Sequence, residues 1–160
     1  MNGVVLRDVE TSDLETLFEH QREPAGVQMA AFPSRDREAF FEHWTKNVLP
    51  NETGVVRTIL FEDRVAGSIV CFERDGLALI GYWIGQEFWG KGIATEALRA
   101  FVQIVARRPL HAYVAKHNVA SIRVLEKCGF SIVGEEHAED DAPEYLMQFA
   151  SVNPPPAGGS

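Results

Sequence analysis

Hydrophobic and polar positions follow two different periods along this chain, which separates strands from helices. Short runs rich in β-branched and apolar residues are typical of strands, at 4–9, 55–61, 65–73, 77–84, 110–114, 130–133 and 144–149. Segments beginning near residues 12, 33, 93 and 118 instead place apolar side chains at the spacing of amphipathic helices. The resulting order, β-α-α-β-β-β-α-β-α-β-β, predicts an α/β or α+β sandwich with one mixed sheet and helices on both faces.

Local signals mark the ends of the first elements. Ser12 and Glu15 have the spacing of a capping box, which predicts the start of the first helix. Pro33-Ser34 is expected to open the second helix. Asp75-Gly76 is the strongest short hairpin signal in the chain and predicts a tight turn between two antiparallel strands.

The later elements carry similar signals. The third helix is expected to run to about Arg107, because Pro109 follows and the residue before a proline is disfavoured in a helix. Asn118 is a candidate N-cap for the fourth helix. Gly129 is placed to end that helix in the left-handed conformation that glycine adopts readily.

The stretch 77–98 is the part of the sequence on which a functional interpretation depends. Its apolar run at 77–84 does not alternate, which suits a strand buried on both faces. Gly90 and Gly92 follow, and a helix begins at Ile93. The first N–H groups of a helix have no intrahelical partner and lie at the positive end of its dipole. The sequence therefore predicts a phosphate-bearing cofactor held at residues 89–95.

Two common nucleotide-binding motifs compete for this turn. Gly85 and Gly90-Lys91 match most of a P-loop, but Gly92 occupies the place of the serine or threonine that binds magnesium. A dinucleotide-binding fingerprint could begin at Gly90, but Thr95 stands where the third glycine allows close helix packing. Both motifs match the residues incompletely.

A resemblance to a known family rests on two longer strings. The first is Glu87-Phe88-Trp89-Gly90-Lys91-Gly92-Ile93-Ala94-Thr95-Glu96-Ala97-Leu98, which looks like the pyrophosphate-binding motif of the GNAT superfamily of acyl-CoA N-acyltransferases. The second is Asn118-Val119-Ala120-Ser121-Ile122-Arg123-Val124-Leu125-Glu126-Lys127-Cys128-Gly129-Phe130, at the expected distance downstream. Together they resemble the RimJ/RimL-like branch over about residues 3–150. The resemblance implies the GNAT fold, whose sheet is mixed and mostly antiparallel.

The resemblance also implies a reaction, the direct transfer of an acetyl group from acetyl-CoA to an amine, with no metal and no covalent enzyme intermediate. The implied cofactor-binding residues are Trp83, Ile84, Trp89, Gly90, Lys91, Gly92, Ile93, Ala94, Thr95 and Asn118. Many GNAT enzymes place a tyrosine seven residues after the motif asparagine, and here Leu125 occupies that position. By analogy with the RimJ/RimL-like pattern, Ser121 is the candidate donor to the departing thiolate and Asn118 a ligand of the pantetheine arm. The missing tyrosine leaves open a non-catalytic acyl-CoA sensor.

The group that removes the proton from the amine is not identified by the sequence. Glu15, Glu19, Tyr82 and His117 are candidates, and water without a dedicated base is an alternative. The acceptor is equally open. An acidic segment at 135–141 would attract a cationic acceptor such as a protein N-terminus, a polyamine or a small amine, although a solvated loop explains it as well.

Composition and charge narrow the partners. The chain has 160 residues, 46% hydrophobic and 24% charged, which predicts one globular domain at 1–150 followed by a flexible Pro/Gly tail at 151–160. It has no apolar run long enough for a membrane span and no signal peptide at its N-terminus, so a cytoplasmic location is expected. Two cysteines, Cys71 and Cys128, predict reduced core residues, and no Cys or His pair has zinc spacing. Monomer and homodimer both remain open.

The net charge of −8 argues against nucleic acid as a partner. Its distribution agrees with the predicted cofactor site. Residues 89–130 carry seven lysines and arginines against two glutamates, a local charge of +5, whereas the remainder of the chain carries −13. The segment expected to hold a polyanionic cofactor is therefore the only clearly basic part of the chain.

Overall fold

A computed structural model describes residues 3–24, 35–50, 54–136 and 143–149. Its elements are β1 (Val4–Arg7), α1 (Asp13–Arg22), α2 (Arg37–His43, continued by a π-helical turn at Trp44–Val48), β2 (Val55–Phe61), β3 (Arg64–Arg74), β4 (Leu77–Ile84), a 3₁₀ turn (Gln86–Phe88), α3 (Ile93–Ile104), β5 (Leu110–Ala115), α4 (Val119–Lys127), β6 (Ser131–Glu136) and β7 (Glu144–Phe149). This element order confirms the one predicted from hydrophobic periodicity. Pro33-Ser34, the acidic residues at 137–141 and the tail at 151–160 lie outside the described residues.

The strands form one seven-stranded sheet in the order β1-β2-β3-β4-β5-β7-β6. Neighbouring strands are antiparallel except for β4 and β5, which are parallel. The prediction of a mixed, mostly antiparallel sheet is confirmed.

Helices cover both faces of the sheet. The larger hydrophobic cluster contains the buried side chains of α3 and α4, whereas the smaller one contains those of α1 and α2. Val55 and Val56 of β2 pack against different clusters. Because successive strand residues point to opposite faces, α3 and α4 lie on one face, and α1 and α2 on the other.

The pairing of β4 with β5 is short. Only Ala78↔Leu110 and Leu79↔His111 pair in parallel, although β4 continues to Ile84. Among the described strands, no ladder continues on the β5 side of β4 beyond Leu79, while β5 pairs with β7 over its whole length. The two strands therefore part at the carboxyl end of β4, directly before the glycine turn.

Helix α1 begins directly after Ser12, as predicted, but the predicted capping box there and the predicted end of α3 are wrong, and tertiary contacts explain both. The side chain of Ser12 makes no capping hydrogen bond, and Glu15 pairs with Arg37 of α2 instead of completing a capping box. Helix α3 ends at Ile104 and not at about Arg107. There the guanidinium of Arg108 donates to the carbonyls of Val102 (3.0 Å) and Val105 (2.9 Å), which satisfies acceptors that a longer helix would have used.

Three other local predictions are confirmed. Asp75 and Gly76 both have positive φ, as a tight hairpin turn requires, and they join β3 to β4. The side chain of Asn118 accepts a hydrogen bond from the amide of Ser121 (3.2 Å) at the start of α4. Gly129 follows α4 with a φ of 99°.

Within the described part of the chain, no helix has the length and apolar character needed to cross a membrane.

Candidate active site

A cavity of about 540 Å³ lies where β4 and β5 part. It is lined by the end of β4, the glycine turn, the start of α3 and one face of α4. Of the residues that the sequence assigned to the site, the lining includes Trp83, Ile84, Trp89, Gly90, Gly92, Ile93, Ala94, Thr95, Asn118 and Ser121. Lys91 is exposed and does not line this cavity.

The glycine turn has a left-handed backbone that faces open space. Gly90 and Gly92 have φ values of 79° and 76°, in the left-handed region where other residues are strained. A β-carbon on either glycine would meet no atom within 4 Å, so both face open space. The amides that begin α3 come directly after this open backbone, and a pyrophosphate group fits such a cradle.

Cations that sequence reasoning did not assign to the site complete its rim. Arg123 and Lys127 of α4 are exposed and line the cavity. They are four residues apart and so lie on the same side of the helix. The excess of basic residues at 89–130 was the only signal for them in the sequence.

Trp89 fixes the end of β4. Its indole Nε1 donates a hydrogen bond to the carbonyl oxygen of Ile84 at 2.9 Å. This carbonyl is therefore already engaged, while the 41% exposed indole of Trp89 remains at the cavity edge.

Two hydroxyl groups meet inside the cavity. The phenol oxygen of Tyr82 lies 2.5 Å from Oγ of Ser121, although the residues are separated by 39 positions in the sequence. Burial raises the pKa of Tyr82 to about 12, against the opposing effect of the Ser121 hydrogen bond. The phenol therefore stays protonated at neutral pH, so Tyr82 is suited to donate a hydrogen bond and poorly suited to act as a base.

A second cavity of about 650 Å³ lies on the α1 and α2 face of the sheet. Tyr82 and Trp83 line both cavities, so this part of β4 is the wall between them. The Tyr82 ring packs in the cluster of α3 and α4, whereas the Trp83 indole donates to the carbonyl of His20 in α1 at 3.1 Å. The charged residues of the second cavity's described lining include Arg35, Arg74 and Glu144.

The predicted proton acceptors are placed differently. Glu15 and Glu19 are exposed, pair with Arg37 and Arg22, and line neither cavity. His117 is exposed and also lies outside both linings. Sequence reasoning gave no role to His20, which lines the second cavity and is 95% buried, with an exposure of 5%. No motif surrounds it, so only the fold could identify it.

The cysteines are free and buried. Burial raises the pKa of both Cys71 and Cys128, which keeps the thiols protonated and poorly nucleophilic. Within residues 3–24, 35–50, 54–136 and 143–149, no three His, Cys, Asp or Glu side chains are grouped so that they could hold a metal ion.

Similarity to known proteins agrees with this geometry. The bacterial proteins "Probable N-acetyltransferase YjcK" and "Putative ribosomal N-acetyltransferase YdaF", both from Bacillus subtilis (strain 168), are similar to the chain. The first is 41% identical in a 78-residue alignment covering 43% of this chain and 42% of that protein. The second is 31% identical in a 143-residue alignment covering 79% of this chain and 77% of that protein.

The fold is also similar to those of solved acetyltransferase structures. The ribosomal L7/L12 α-N-protein acetyltransferase RimL, solved in complex with coenzyme A, superposes with a TM-score of 0.76. It is 22% identical, and the match covers 92% of this chain and 93% of RimL. The acetyltransferase (GNAT) domain family matches residues 4–131 of the sequence. The chain therefore belongs to the GNAT acetyltransferase family, enzymes that take their acetyl group from acetyl-CoA.

Proposed function

We propose that this protein moves the acetyl group of acetyl-CoA directly to a primary amine, in the manner of the RimJ/RimL-like branch. The observation that carries the proposal is the parting of β4 from β5. It opens a cavity beside the glycine turn, and Tyr82 and Trp83 separate that cavity from a second one. Two substrates approaching from opposite sides could meet at this wall. The raised pKa values of both cysteine thiols support direct transfer without an acyl-enzyme intermediate.

The first cavity is the proposed acetyl-CoA site. The open backbone of Gly90 and Gly92 and the first amides of α3 would hold the pyrophosphate, with the hydroxyl of Thr95 nearby. Arg123 and Lys127 add positive charge at the rim, where phosphate groups would be attracted. The side chain of Asn118 uses its oxygen to cap α4, which leaves its amide nitrogen to donate to the pantetheine arm.

Ser121 is the proposed donor to the thiolate that leaves when the C–S bond breaks. A serine hydroxyl has one proton to donate and can accept from another group at the same time. Because the phenol of Tyr82 stays protonated and lies 2.5 Å away, it can donate to Oγ of Ser121. The serine proton is then oriented away from Tyr82 and is available to the sulfur.

The second cavity is the proposed acceptor site. The proposed acceptors are a protein N-terminus, a polyamine or a small cationic amine. Two ribosomal acetyltransferases among the similar proteins support the first of these. The described lining includes arginines as well as Glu144, so attraction of a cation would depend on the acidic residues at the end of β6. There Glu136 pairs with Glu144 in the β6–β7 ladder, whereas Glu135 is ion-paired with Lys116. If these acidic residues attract the acceptor, raised salt or E135Q/E136Q will increase the acceptor KM; an unchanged KM would remove this part of the proposal.

The first experiment is thermal denaturation with acetyl-CoA, CoA, ATP–Mg and NAD, each added separately. A ligand that binds only the native state stabilises it by about 2.7 kcal/mol at one hundred times Kd, a shift of several degrees for a domain of this size. Shifts with acetyl-CoA and CoA alone are expected. Release of CoA thiol is then measured with peptide, polyamine and small-amine acceptors. Binding without turnover of any amine would favour a non-catalytic sensor.

A further inference from the structure

His20 occupies a position in the fold that its sequence context does not reveal. Its ring is buried, with 5% exposure, and lines the second cavity near the end of β4. A β-carbon on Gly85 would lie 2.5 Å from Nε2 of His20, so the ring fits only because residue 85 is glycine. The backbone carbonyl of His20 accepts a hydrogen bond from the indole of Trp83, which is part of the wall between the cavities.

One ring nitrogen of His20 is buried without a hydrogen-bond partner among the described residues, while the ring itself packs edge-on against Phe88. This atom is Nδ1, and a buried polar atom without a partner destabilises the fold, so its presence calls for an explanation. His111 offers a comparison, because its Nδ1 is also buried without a partner among the described residues. Its Nε2, however, lies 3.2 Å from the side-chain amide of Gln148, and His111 lines neither cavity.

The environment of His20 favours the neutral ring. Burial lowers its pKa, and the negative charges of Glu23 and Glu87 oppose this effect without reversing it. The ring is therefore uncharged at neutral pH, and a neutral imidazole has one nitrogen that can accept a proton. The other candidates fit less well, because Glu15 and Glu19 are paired on the exposed surface and the phenol of Tyr82 is already protonated.

We propose that His20 accepts the proton that the amine loses when it attacks the thioester. The proposal rests on the function proposed above and adds a catalytic residue on the acceptor side. The acceptor ammonium first loses one proton to solvent. The neutral amine nitrogen then forms a bond to the carbonyl carbon, the C–S bond breaks, and the second proton that the nitrogen must lose passes to the His20 imidazole. Ser121 donates its proton to the departing thiolate. Exchange with solvent then returns a proton to the serine and removes one from the His20 imidazolium.

The test is chemical rescue. H20A removes the ring and leaves a space beside Gly85, so activity with the best amine is expected to fall at least about a hundredfold. Imidazole added to the assay should restore part of this activity, and substituted imidazoles of similar size should restore more as their basicity increases. The acidic limb of the wild-type pH profile of kcat/KM should also disappear in H20A. A residue that only supports packing would show no dependence of rescue on basicity.

Matched variants complete the design. H111Q changes a similarly buried histidine away from both cavities and should keep the wild-type pH profile. H43Q and E144Q change the other proton-accepting side chains of the second cavity's described lining. The assignment of His20 would be overturned if H43Q or E144Q removed the acidic limb while H20A either kept that limb or was rescued independently of the basicity of the added imidazole. If H20A does not fold, H20Q takes its place and must lose the limb.

The thermal shift with CoA separates this inference from the function on which it rests. A wild-type protein that binds CoA but turns over no amine would refute the proposed transfer. Wild-type turnover combined with a fully active H20A would refute only the role of His20.

Discussion

The hydroxyl pair formed by Tyr82 and Ser121 gives the sharpest test of the leaving-group chemistry. If Ser121 donates to a thiolate, S121A removes a charge-assisted hydrogen bond worth about 1.5–3 kcal/mol. That loss corresponds to a fall in kcat of about tenfold to one hundred and fifty-fold. Y82F removes only the neutral bond that orients Ser121, worth about 0.5–1.5 kcal/mol, so kcat should fall by about two- to tenfold.

The double variant distinguishes a working pair from two independent contributions. Tyr82 acts through Ser121 in this scheme, because its phenol lies 2.5 Å from Oγ of the serine. Once the serine is gone, Y82F has little left to remove, and the double variant should have a kcat within about twofold of S121A. The assay is CoA thiol release at saturating acetyl-CoA, with KM measured alongside. Y145F, which alters a tyrosine that lines neither cavity, is the matched control and should retain full kcat.

Three results would count against the reasoning. An unchanged kcat in S121A would exclude the serine as donor to the thiolate. If the fold losses of kcat in the two single variants multiply in the double variant, Tyr82 acts independently of Ser121. Its hydroxyl would then act at the wall that Tyr82 forms with the second cavity. A loss of thermal stability shared by Y82F and Y145F would indicate packing in place of chemistry.

Three further predictions follow from backbone and core geometry. G92A should weaken CoA binding at least about tenfold in a titration, because φ at this position is 76° and a methyl group would enter the space open to the phosphates. G85A has an ordinary backbone conformation but would displace the His20 ring, so it should lower kcat/KM for the amine and leave the CoA Kd unchanged. D13A should destabilise the protein by about 1.5–3 kcal/mol in urea denaturation, because the 3% exposed Asp13 carboxylate accepts charged hydrogen bonds from Arg7. As a control, E15A removes one partner of an exposed ion pair and should have no measurable effect on stability.

The effect of D13A should depend on pH in one direction. Burial acts to raise the pKa of Asp13, but the hydrogen bonds from Arg7, the Glu10 amide and Thr58 outweigh it and hold the pKa below its usual value. A carboxyl with a lowered folded-state pKa stabilises the protein above its unfolded pKa of about 4, and this contribution is lost as the pH falls further. The difference in stability between wild type and D13A should therefore shrink in acid. A constant difference would contradict the account of the Arg7–Asp13 pair.

The features that the sequence predicted correctly are those that depend on neighbouring residues. The order of elements follows from hydrophobic spacing, the hairpin at Asp75-Gly76 from turn chemistry, and the Asn118 cap from a side chain three residues from its partner. Nearly all of the site residues expected from the motif strings line one cavity, because each string lies on a single turn or helix, and their binding roles stay predictions.

The features that the sequence did not predict depend on contacts between distant parts of the chain. Helix α3 ends early because Arg108 folds back onto its carbonyls, and no periodicity encodes that contact. The Ser12 capping box fails while the neighbouring Asp13 is held by Arg7 and by Thr58 of β2, 45 positions away. His20 depends on the absence of a side chain at Gly85. Each of these features depends on a tertiary contact that local sequence patterns could not predict.

In the proposed reaction the two substrates would approach β4 from opposite faces of the sheet, because adjacent strand residues point to opposite faces. The side chain of Tyr82 reaches Ser121 on the face of α3 and α4, whereas that of Trp83 reaches His20 on the face of α1. This arrangement fixes the register of β4, since a shift by one residue would exchange the faces. Gly67 of β3 contributes to that register, because a β-carbon there would lie 2.0 Å from the carbonyl oxygen of Trp83.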